Sequence, residues 1–126
     1  MAGSLADKTL HDVLAAIAAP RPTPGGGSAC AAASAIGVAL LMKAAAIAGV
    51  PQHSLASTEA QLVAAIDDDA AAFRDVIAAR KQPRESEAER ALRTAAIQRA
   101  LRHANCVRAR SDGFFAGRRE HHVWFG

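Results

Sequence analysis

Apolar residues near the start of the chain recur with the spacing of an amphipathic helix. Positions i, i+3, i+4 and i+7 are occupied by Leu10, Val13, Leu14 and Ile17. This stripe predicts a helix over about residues 7–19, with Asp7 or Thr9 able to cap its start. A proline at position 20, with two more at 22 and 24, ends that helix because proline lacks the N–H that a helix interior requires. Residues 20–27 are therefore predicted to form a loop.

The segment after this loop consists almost entirely of small apolar residues. It predicts a second helix over about residues 28–48, with small side chains nearly all around it. The apolar run contains Ser34 and Gly37, is closed by Lys43, and falls short of the roughly 20 apolar residues that a membrane span needs. We therefore expect a buried helix and no association with a membrane.

Two more helices are predicted in the second half of the chain. The third runs from about Ser54 or Ser57 to Lys81, and its apolar face consists of Leu62, Ile66, Phe73 and Ile77. The fourth begins at Ser86, where Glu89 completes the S-x-x-E pattern of a capping box, and continues to about residue 104. Beyond that point the helical apolar period is lost.

Composition supports an all-α, antiparallel bundle of about four helices. Hydrophobic residues make up 51% of the 126 residues and aromatic residues only 4%, so the apolar content is mainly alanine, the strongest helix former. Small side chains permit close helix packing, but each contact buries little apolar area. A core this thin is expected to be completed by dimerisation.

Charge and cysteine content narrow the possible partners and compartments. The net charge of +3 suits an anionic ligand without requiring nucleic acid, and none is expected as a partner. Cys30 and Cys106 lie far apart without metal-type spacing, so we expect reduced thiols in a cytoplasmic protein. Because the histidines do not share a helix face, no metal is predicted.

A glycine-rich loop immediately before the second helix is the first candidate for chemistry. It reads Pro24, Gly25, Gly26, Gly27 and Ser28. Glycines let a backbone approach a ligand closely, and a helix start presents free N–H groups that favour a carboxylate or phosphate. The alternative is an ordinary tight turn in which Ser28 is the N-cap of the helix.

Asp69 is the second candidate. It lies three residues after Ile66 and four before Phe73, which places it on the apolar stripe, whereas Asp67 and Asp68 point away from that stripe. A carboxylate on the core side can donate or accept a proton in general acid–base catalysis. The alternative is a structural carboxylate that is held by a neighbouring arginine or by an adjacent helix end.

Arginines between the third and fourth predicted helices, and early in the fourth, form the third candidate group. Arg84 follows a proline, and Arg90 and Arg93 lie seven and four residues before Ile97, on the same face of the fourth helix. They could clamp an anion. Equally, they could be a solvated helix flank, because long cationic side chains readily extend into water.

Three segments, in order, resemble the formiminotransferase-cyclodeaminase and methenyltetrahydrofolate cyclohydrolase family. Residues 22–28, PTPGGGS, resemble its Thr-Pro-Gly-Gly-Gly loop, and residues 66–73, IDDDAAAF, resemble its Asp-x-x-Ala-Phe helix. Residues 82–84, QPR, with residues 89–101, resemble its Pro-Lys loop and its Arg-x-x-x-Ile-Gln-x-Ala-Leu helix. The resemblance spans about residues 7–107.

The resemblance implies a helical homodimer that binds tetrahydrofolate and interconverts its one-carbon forms. The reaction would be the cyclisation of 5-formimino-tetrahydrofolate with release of ammonia, or the hydrolysis of 5,10-methenyl-tetrahydrofolate. Asp69 would be the catalytic carboxylate and residues 24–28 would hold the folate. Arg84 and Arg93 could meet its glutamyl carboxylates. Neither a metal nor a redox cofactor is implied.

The chain departs from the family in two places. Between Met42 and Leu62 it is shorter and lacks an Asn-Leu-Thr and lysine-rich patch. After Val107 the family continues with Val-Pro-Leu and further helices, whereas here Arg108 opens a basic, aromatic tail. We therefore divide the chain into an incomplete helical domain, residues 1–107, and a divergent, irregular tail, residues 108–126. A reading-frame change near Val107 would explain the shift.

These departures leave three functional hypotheses. The first is an active folate enzyme. The second is a catalytically inactive fragment that serves only as a helical association module, in which the missing helices leave apolar faces uncovered. The third, a nucleic-acid binder, rests only on the pI of about 9.4 and on the arginines of the tail. Stabilisation by folate would separate the first two.

Overall fold

The computed structural model describes residues 3–116, and side-chain environments for residues 3–107. Within residues 3–116 it contains four α-helices and no strand. They are α1 (Leu10–Ala18), α2 (Gly26–Ile47), α3 (His53–Arg80) and α4 (Glu87–Ala116). The prediction of an all-α bundle is confirmed. Short connections, residues 48–52 and 81–86, join the three long helices, as is usual for antiparallel neighbours.

Helix α3 lies at the centre, with α2 packed on one side and α4 on the other. It contributes most of the buried side chains, in two stripes: Thr58, Leu62, Ile66 and Ala70, then Ala72, Val76 and Ala79. From α2 only Ser28, Ala31 and Val38 are buried. Most of these side chains are small, which permits close helix packing around a thin core.

The predicted apolar face of α3 is only partly correct. Leu62 and Ile66 are buried, but Phe73 is 43% exposed and Ile77 is half-buried. A single stripe does not describe α3, because this helix packs against two neighbours and therefore buries two faces. The second face consists largely of alanine, which carries too little contrast to be recognised from the sequence.

Two predicted helix starts are confirmed by their caps. The Asp12 N–H donates to Thr9 Oγ1 at 3.1 Å at the start of α1. At α4, the Glu89 N–H donates to Ser86 Oγ at 3.1 Å, and Glu89 Oε2 accepts the Ser86 N–H at 3.0 Å. The N–H of Ser86, joined by that of Glu85, holds the pKa of Glu89 below its ordinary value. This reciprocal pair is the predicted capping box.

Helix α4 continues well past its predicted end. We expected it to stop near residue 104 and an irregular tail to begin at residue 108, but it extends to Ala116. Residues 105–112 contain neither proline nor glycine, so the loss of apolar period there does not interrupt the backbone. The aromatic and histidine-rich end, residues 117–126, lies outside the described residues.

The prediction that α2 is a buried helix is wrong for the single chain. Only α3 packs extensively against it, and its other side exposes Ile36 (59%), Leu40 (67%), Leu41 (50%) and Ile47 (80%). In the described part of the chain, α2 is the one helix long and apolar enough to span a bilayer by length and composition, a weak criterion that core helices also meet. On α1, Leu10 and Leu14 are also more than half exposed.

Candidate functional site

The start of α2 is fixed to the middle of α3 by two hydrogen bonds of opposite direction. Asp69 Oδ2 accepts the N–H of Ser28 at 3.1 Å, and Ser28 Oγ donates to the carbonyl of Ile66 at 2.7 Å. Ser28 is 1% exposed, and Asp69 is half-buried. Because the first N–H groups of a helix have no partner within it, Asp69 satisfies a group that would otherwise be unpaired.

The N-cap of α2 is Gly25, which has no side chain with which to cap the helix. Ser28 is the third helical residue, so the prediction that it is an ordinary N-cap is wrong. Its hydroxyl turns away from the helix start and towards α3. The carboxylate of Asp69 replaces the missing cap from outside the helix, and this places a negative charge at the positive end of the α2 dipole.

Gly27 is the glycine that makes this contact possible. A Cβ atom at position 27 would lie 2.1–2.4 Å from the carboxylate atoms of Asp69. A Cβ at Gly26 would meet nothing within 4 Å, and one at Gly25 would lie 3.8 Å from the Pro22 carbonyl oxygen. The close backbone approach expected of this glycine-rich loop is therefore made to a carboxylate of the same chain.

The contacts of Asp69 match the structural alternative, a carboxylate held by an adjacent helix end. These contacts also leave one carboxylate oxygen of Asp69 available for a reaction. Among residues 3–107, Asp69 Oδ2 has Ser28 as its hydrogen-bond partner, and no hydrogen bond is formed by Oδ1. A carboxylate with one oxygen fixed and the other free keeps its orientation while it exchanges a proton. The catalytic role of Asp69 stays a prediction.

Beside the glycine-rich loop lies an open cleft of about 700 Å³. Its walls are the segment before α1, the turn at residues 21–24 and the face of α3 that carries Asp67, Asp68 and Arg74. Lys8 and Arg21 also line it. We did not predict Lys8, Arg21 or Arg74 as site residues, because no local pattern connects three cations so far apart in the sequence.

Asp67 lies in the wall of this cleft. Its Oδ2 accepts the Ser4 hydroxyl at 2.5 Å, and its Oδ1 accepts the Leu5 N–H at 2.8 Å. Partial burial would raise the pKa of Asp67, but these two bonds, the Ala6 N–H and the charge of Arg74 together hold it below its ordinary value. The residue expected to point away from the apolar stripe therefore anchors the N-terminal segment to α3.

Arg84 and Arg93 lie apart from this region. Arg93 donates from Nε and Nη2 to the Arg80 carbonyl oxygen, at 3.1 and 3.0 Å, so it caps the C-terminal end of α3. Arg80 follows Asp69 by eleven residues, about 16 Å along a helix. Arg84 is exposed in the connection at residues 81–86. In the single chain, neither joins Asp69, and their substrate-binding role stays a prediction.

The remaining histidines, cysteines and acidic residues of the described part offer no metal-binding cluster. Within the described residues, no group of three His, Cys, Asp or Glu side chains could hold a metal ion. Cys30 and Cys106 are free and exposed, rather than buried. Both thiols are consistent with small incidental side chains on helix surfaces.

Comparison with known proteins bears on most of the chain. The formiminotransferase-cyclodeaminase family model matches residues 9–109. The matched range contains the glycine-rich loop, Asp69 and the start of α4, and it ends two residues beyond Val107. No curated protein matches the chain.

Proposed function

Since this chain belongs to the formiminotransferase-cyclodeaminase family, we propose that it binds a tetrahydrofolate derivative and acts on its one-carbon group. Two reactions fit: cyclisation of 5-formimino-tetrahydrofolate with release of ammonia, and hydrolysis of 5,10-methenyl-tetrahydrofolate. The observation that carries the proposal is the joining of the two family segments: Asp69 from one is fixed on Ser28 from the other.

In both reactions Asp69 would transfer one proton. In the cyclisation, N10 attacks the carbon of the protonated formimino group, –CH=NH2⁺, and loses its proton. The former imine nitrogen gains that proton and leaves as ammonia, which yields the methenyl cation. In the hydrolysis, water attacks the methenyl carbon and loses a proton as the formyl group forms. Oδ1 of Asp69 is available for either transfer, because Oδ2 is occupied by Ser28. The anionic carboxylate would also stabilise the cationic methenyl group.

The glycine-rich loop would position the folate ring next to this carboxylate. Gly25 and Gly26 have no side chain to obstruct a flat ligand, and α2 starts at Gly26. The chemistry proposed needs neither a metal nor a redox cofactor. We also propose that a second copy of the chain covers the exposed apolar side of α2, because burial of such side chains stabilises association.

The test is folate binding and turnover by the Asp69→Asn variant. Asparagine keeps an oxygen that can accept the Ser28 N–H, so the fold should survive while proton transfer is lost. We expect 5-formyl-tetrahydrofolate to raise the melting temperature of both proteins. Methenyl hydrolysis or ammonia release should fall at least a hundredfold in the variant.

The matched control is Asp75→Asn, which removes an exposed carboxylate of the same helix that does not line the cleft. It should leave turnover within about twofold of the unmodified chain, as expected for an exposed group. Equal losses in both variants would contradict a specific role for Asp69. If no folate stabilises the unmodified protein, the folate-enzyme proposal itself is refuted.

A second candidate function is a catalytically inactive helical association module. It is favoured by the exposed apolar residues of α1 and α2, which a neighbouring chain could cover. Self-association without any folate-induced rise in melting temperature would support this function over the enzyme.

A further inference from the structure

Ser28 contacts α3 at two points that lie about one helical turn apart. Its hydroxyl donates to the carbonyl of Ile66 at 2.7 Å, and its N–H donates to Oδ2 of Asp69 at 3.1 Å. Ile66 and Asp69 are three residues apart, so they lie on the same face of the helix. A path of hydrogen bonds thus leads from the backbone of α3, through Ser28, to a side chain of the same helix.

The two contacts of Ser28 differ in rigidity. The Ile66 carbonyl belongs to the interior of α3, where the helical hydrogen bonds hold the backbone in place. The Asp69 carboxylate ends a side chain with two rotatable bonds, which leave it free to turn unless a partner holds it. The hydroxyl therefore fixes residue 28 to a rigid part of α3, and the N–H of residue 28 orients a mobile part. The orientation of Asp69 is thereby set by its own helix.

Ser28 has no donor left with which to bind a ligand. It is 1% exposed, and both its hydroxyl and its N–H donate to groups of the same chain. Asp69, in contrast, is half-buried, and its Oδ1 forms no hydrogen bond among residues 3–107. Of these two residues, Asp69 is the one that a substrate can reach, and any effect of Ser28 on a reaction must pass through it.

We propose that Ser28 is a positioning residue: its hydroxyl, anchored on the Ile66 carbonyl, holds the Ser28 N–H where it orients the carboxylate of Asp69. The inference rests on the proposed function, because it takes Asp69 to be the group that transfers the proton. It replaces the direct ligand contact that the sequence suggested for Ser28 with an action through Asp69. Such placement governs the rate, because a displacement of about 1 Å at a reacting group can cost roughly a hundredfold.

The experiment removes the hydroxyl of Ser28 and nothing else. Ser28→Ala keeps the N–H that Asp69 accepts, and the smaller side chain cannot overpack the site. The Ile66 carbonyl keeps its partner within α3, so no buried acceptor is left unpaired. Steady-state turnover of 5,10-methenyl-tetrahydrofolate or 5-formimino-tetrahydrofolate, whichever the unmodified chain converts, gives kcat and KM. Thermal unfolding followed by circular dichroism gives the melting temperature.

Thr58→Val is the matched control. Thr58 is 5% exposed, and its hydroxyl also donates to a carbonyl of α3, that of Ser54, at 2.7 Å. Valine keeps the shape of threonine and lacks only the hydroxyl. This hydrogen bond stays within one helix, and Thr58 lies eleven residues before Asp69, about 16 Å along the helix axis. The control therefore removes a buried hydroxyl of the same kind without disturbing Asp69.

We expect both variants to lower the melting temperature by similar amounts, about 3–6 °C. In Ser28→Ala alone, kcat should fall about tenfold, because the carboxylate is still bound by the N–H but is less well oriented. KM should stay within about twofold, because Ser28 does not touch the substrate. In the Asp69→Asn background, adding Ser28→Ala should change the remaining kcat less than about twofold, because the group through which Ser28 acts is gone.

Other outcomes separate this inference from the proposed function. If kcat in Ser28→Ala equals that in Thr58→Val, Ser28 is only a structural link between α2 and α3, and the inference is overturned while the proposed function stands. A rise in KM alone, or losses in kcat that multiply in the double variant, would also overturn it.

A second variant keeps the test valid if Ser28→Ala does not fold. Ser28→Cys keeps a donor at the same position, but a thiol donates more weakly than a hydroxyl. The inference expects a smaller fall in kcat for this variant, again at constant KM, and an unchanged kcat would overturn it. If the unmodified chain converts neither folate, the proposed function and the inference fail together.

Discussion

Replacing Gly27 with alanine should destabilise the protein even though alanine is the better helix former. The new Cβ would lie 2.1–2.4 Å from the Asp69 carboxylate atoms, far inside van der Waals contact. Asp69 would therefore have to move, and the hydrogen bond from the Ser28 N–H to Oδ2, now 3.1 Å long, would break. Ser28 is 1% exposed, so water cannot readily replace the lost acceptor.

The magnitude follows from two opposing terms. Losing a hydrogen bond to a charged group costs about 1.5–3 kcal/mol, and the half-buried position of Asp69 reduces this to about 1–2.5 kcal/mol. The helix propensity gained by alanine offsets about 0.5–1 kcal/mol, less than its full value because position 27 lies in the first turn. We expect a net loss of about 1 kcal/mol, or about 3–6 °C in melting temperature.

Gly26→Ala is the matched control. A Cβ at position 26 meets nothing within 4 Å, so this variant should gain stability by up to about 0.5 kcal/mol from propensity alone. Urea unfolding of the three proteins, followed by circular dichroism, measures both changes. Two neighbouring substitutions of the same kind should thus have opposite signs, and shifts of equal sign and size would refute the packing argument.

Two further predictions concern acid stability and self-association. The pKa of Asp67 is lowered below its ordinary value of 3.8 on folding. The stabilisation of the folded state by Asp67 is therefore present above pH 3.8 and is lost as the pH falls through the lowered pKa. Asp67→Asn should lower the free energy of unfolding by about 0.5–1 kcal/mol at pH 7. In urea titrations below about pH 3.8, the unfolding free energies of the variant and the unmodified chain should converge. A constant difference between them would contradict this. Leu40→Glu should abolish the proposed self-association in sedimentation experiments without unfolding the chain, since Leu40 is 67% exposed. Gln98→Glu is the control and should leave self-association unchanged. A dimer that persists in Leu40→Glu would place the interface elsewhere.

The sequence contained enough information to predict the starts of α1 and α4. Thr9 and the pair Ser86 and Glu89 act through side chains only three residues from their targets, so their spacing alone predicts the hydrogen bonds. The end of α4 could not be predicted in this way. Residues 105–112 lack the apolar period of a packed helix, yet contain nothing that stops one.

The tertiary contacts of the site were harder to predict from the sequence than these helix starts. Helical spacing placed Asp69 on the core side correctly, but its partner is the Ser28 N–H, 41 residues earlier. A periodic pattern indicates which face a residue occupies without indicating what lies opposite. For the same reason, Lys8, Arg21 and Arg74 gave no signal before the fold was known.

Which side of α2 packs on α3 could not be predicted either, for a different reason. Periodicity identifies a buried face only when apolar and polar residues alternate around the helix. In α2 almost every position is small and apolar, so the side that packs on α3 looks like the exposed side. The alanine-rich composition that predicts the helix thereby conceals its orientation.

The contact between Gly27 and Asp69 makes the two positions interdependent in evolution. While Asp69 is present, any side chain at position 27 meets its carboxylate. Once Asp69 is replaced by alanine, a residue at position 27 gains helix propensity without that collision. A side chain at position 27 is therefore free of this collision only after position 69 has changed, and the opposite order of substitution costs stability.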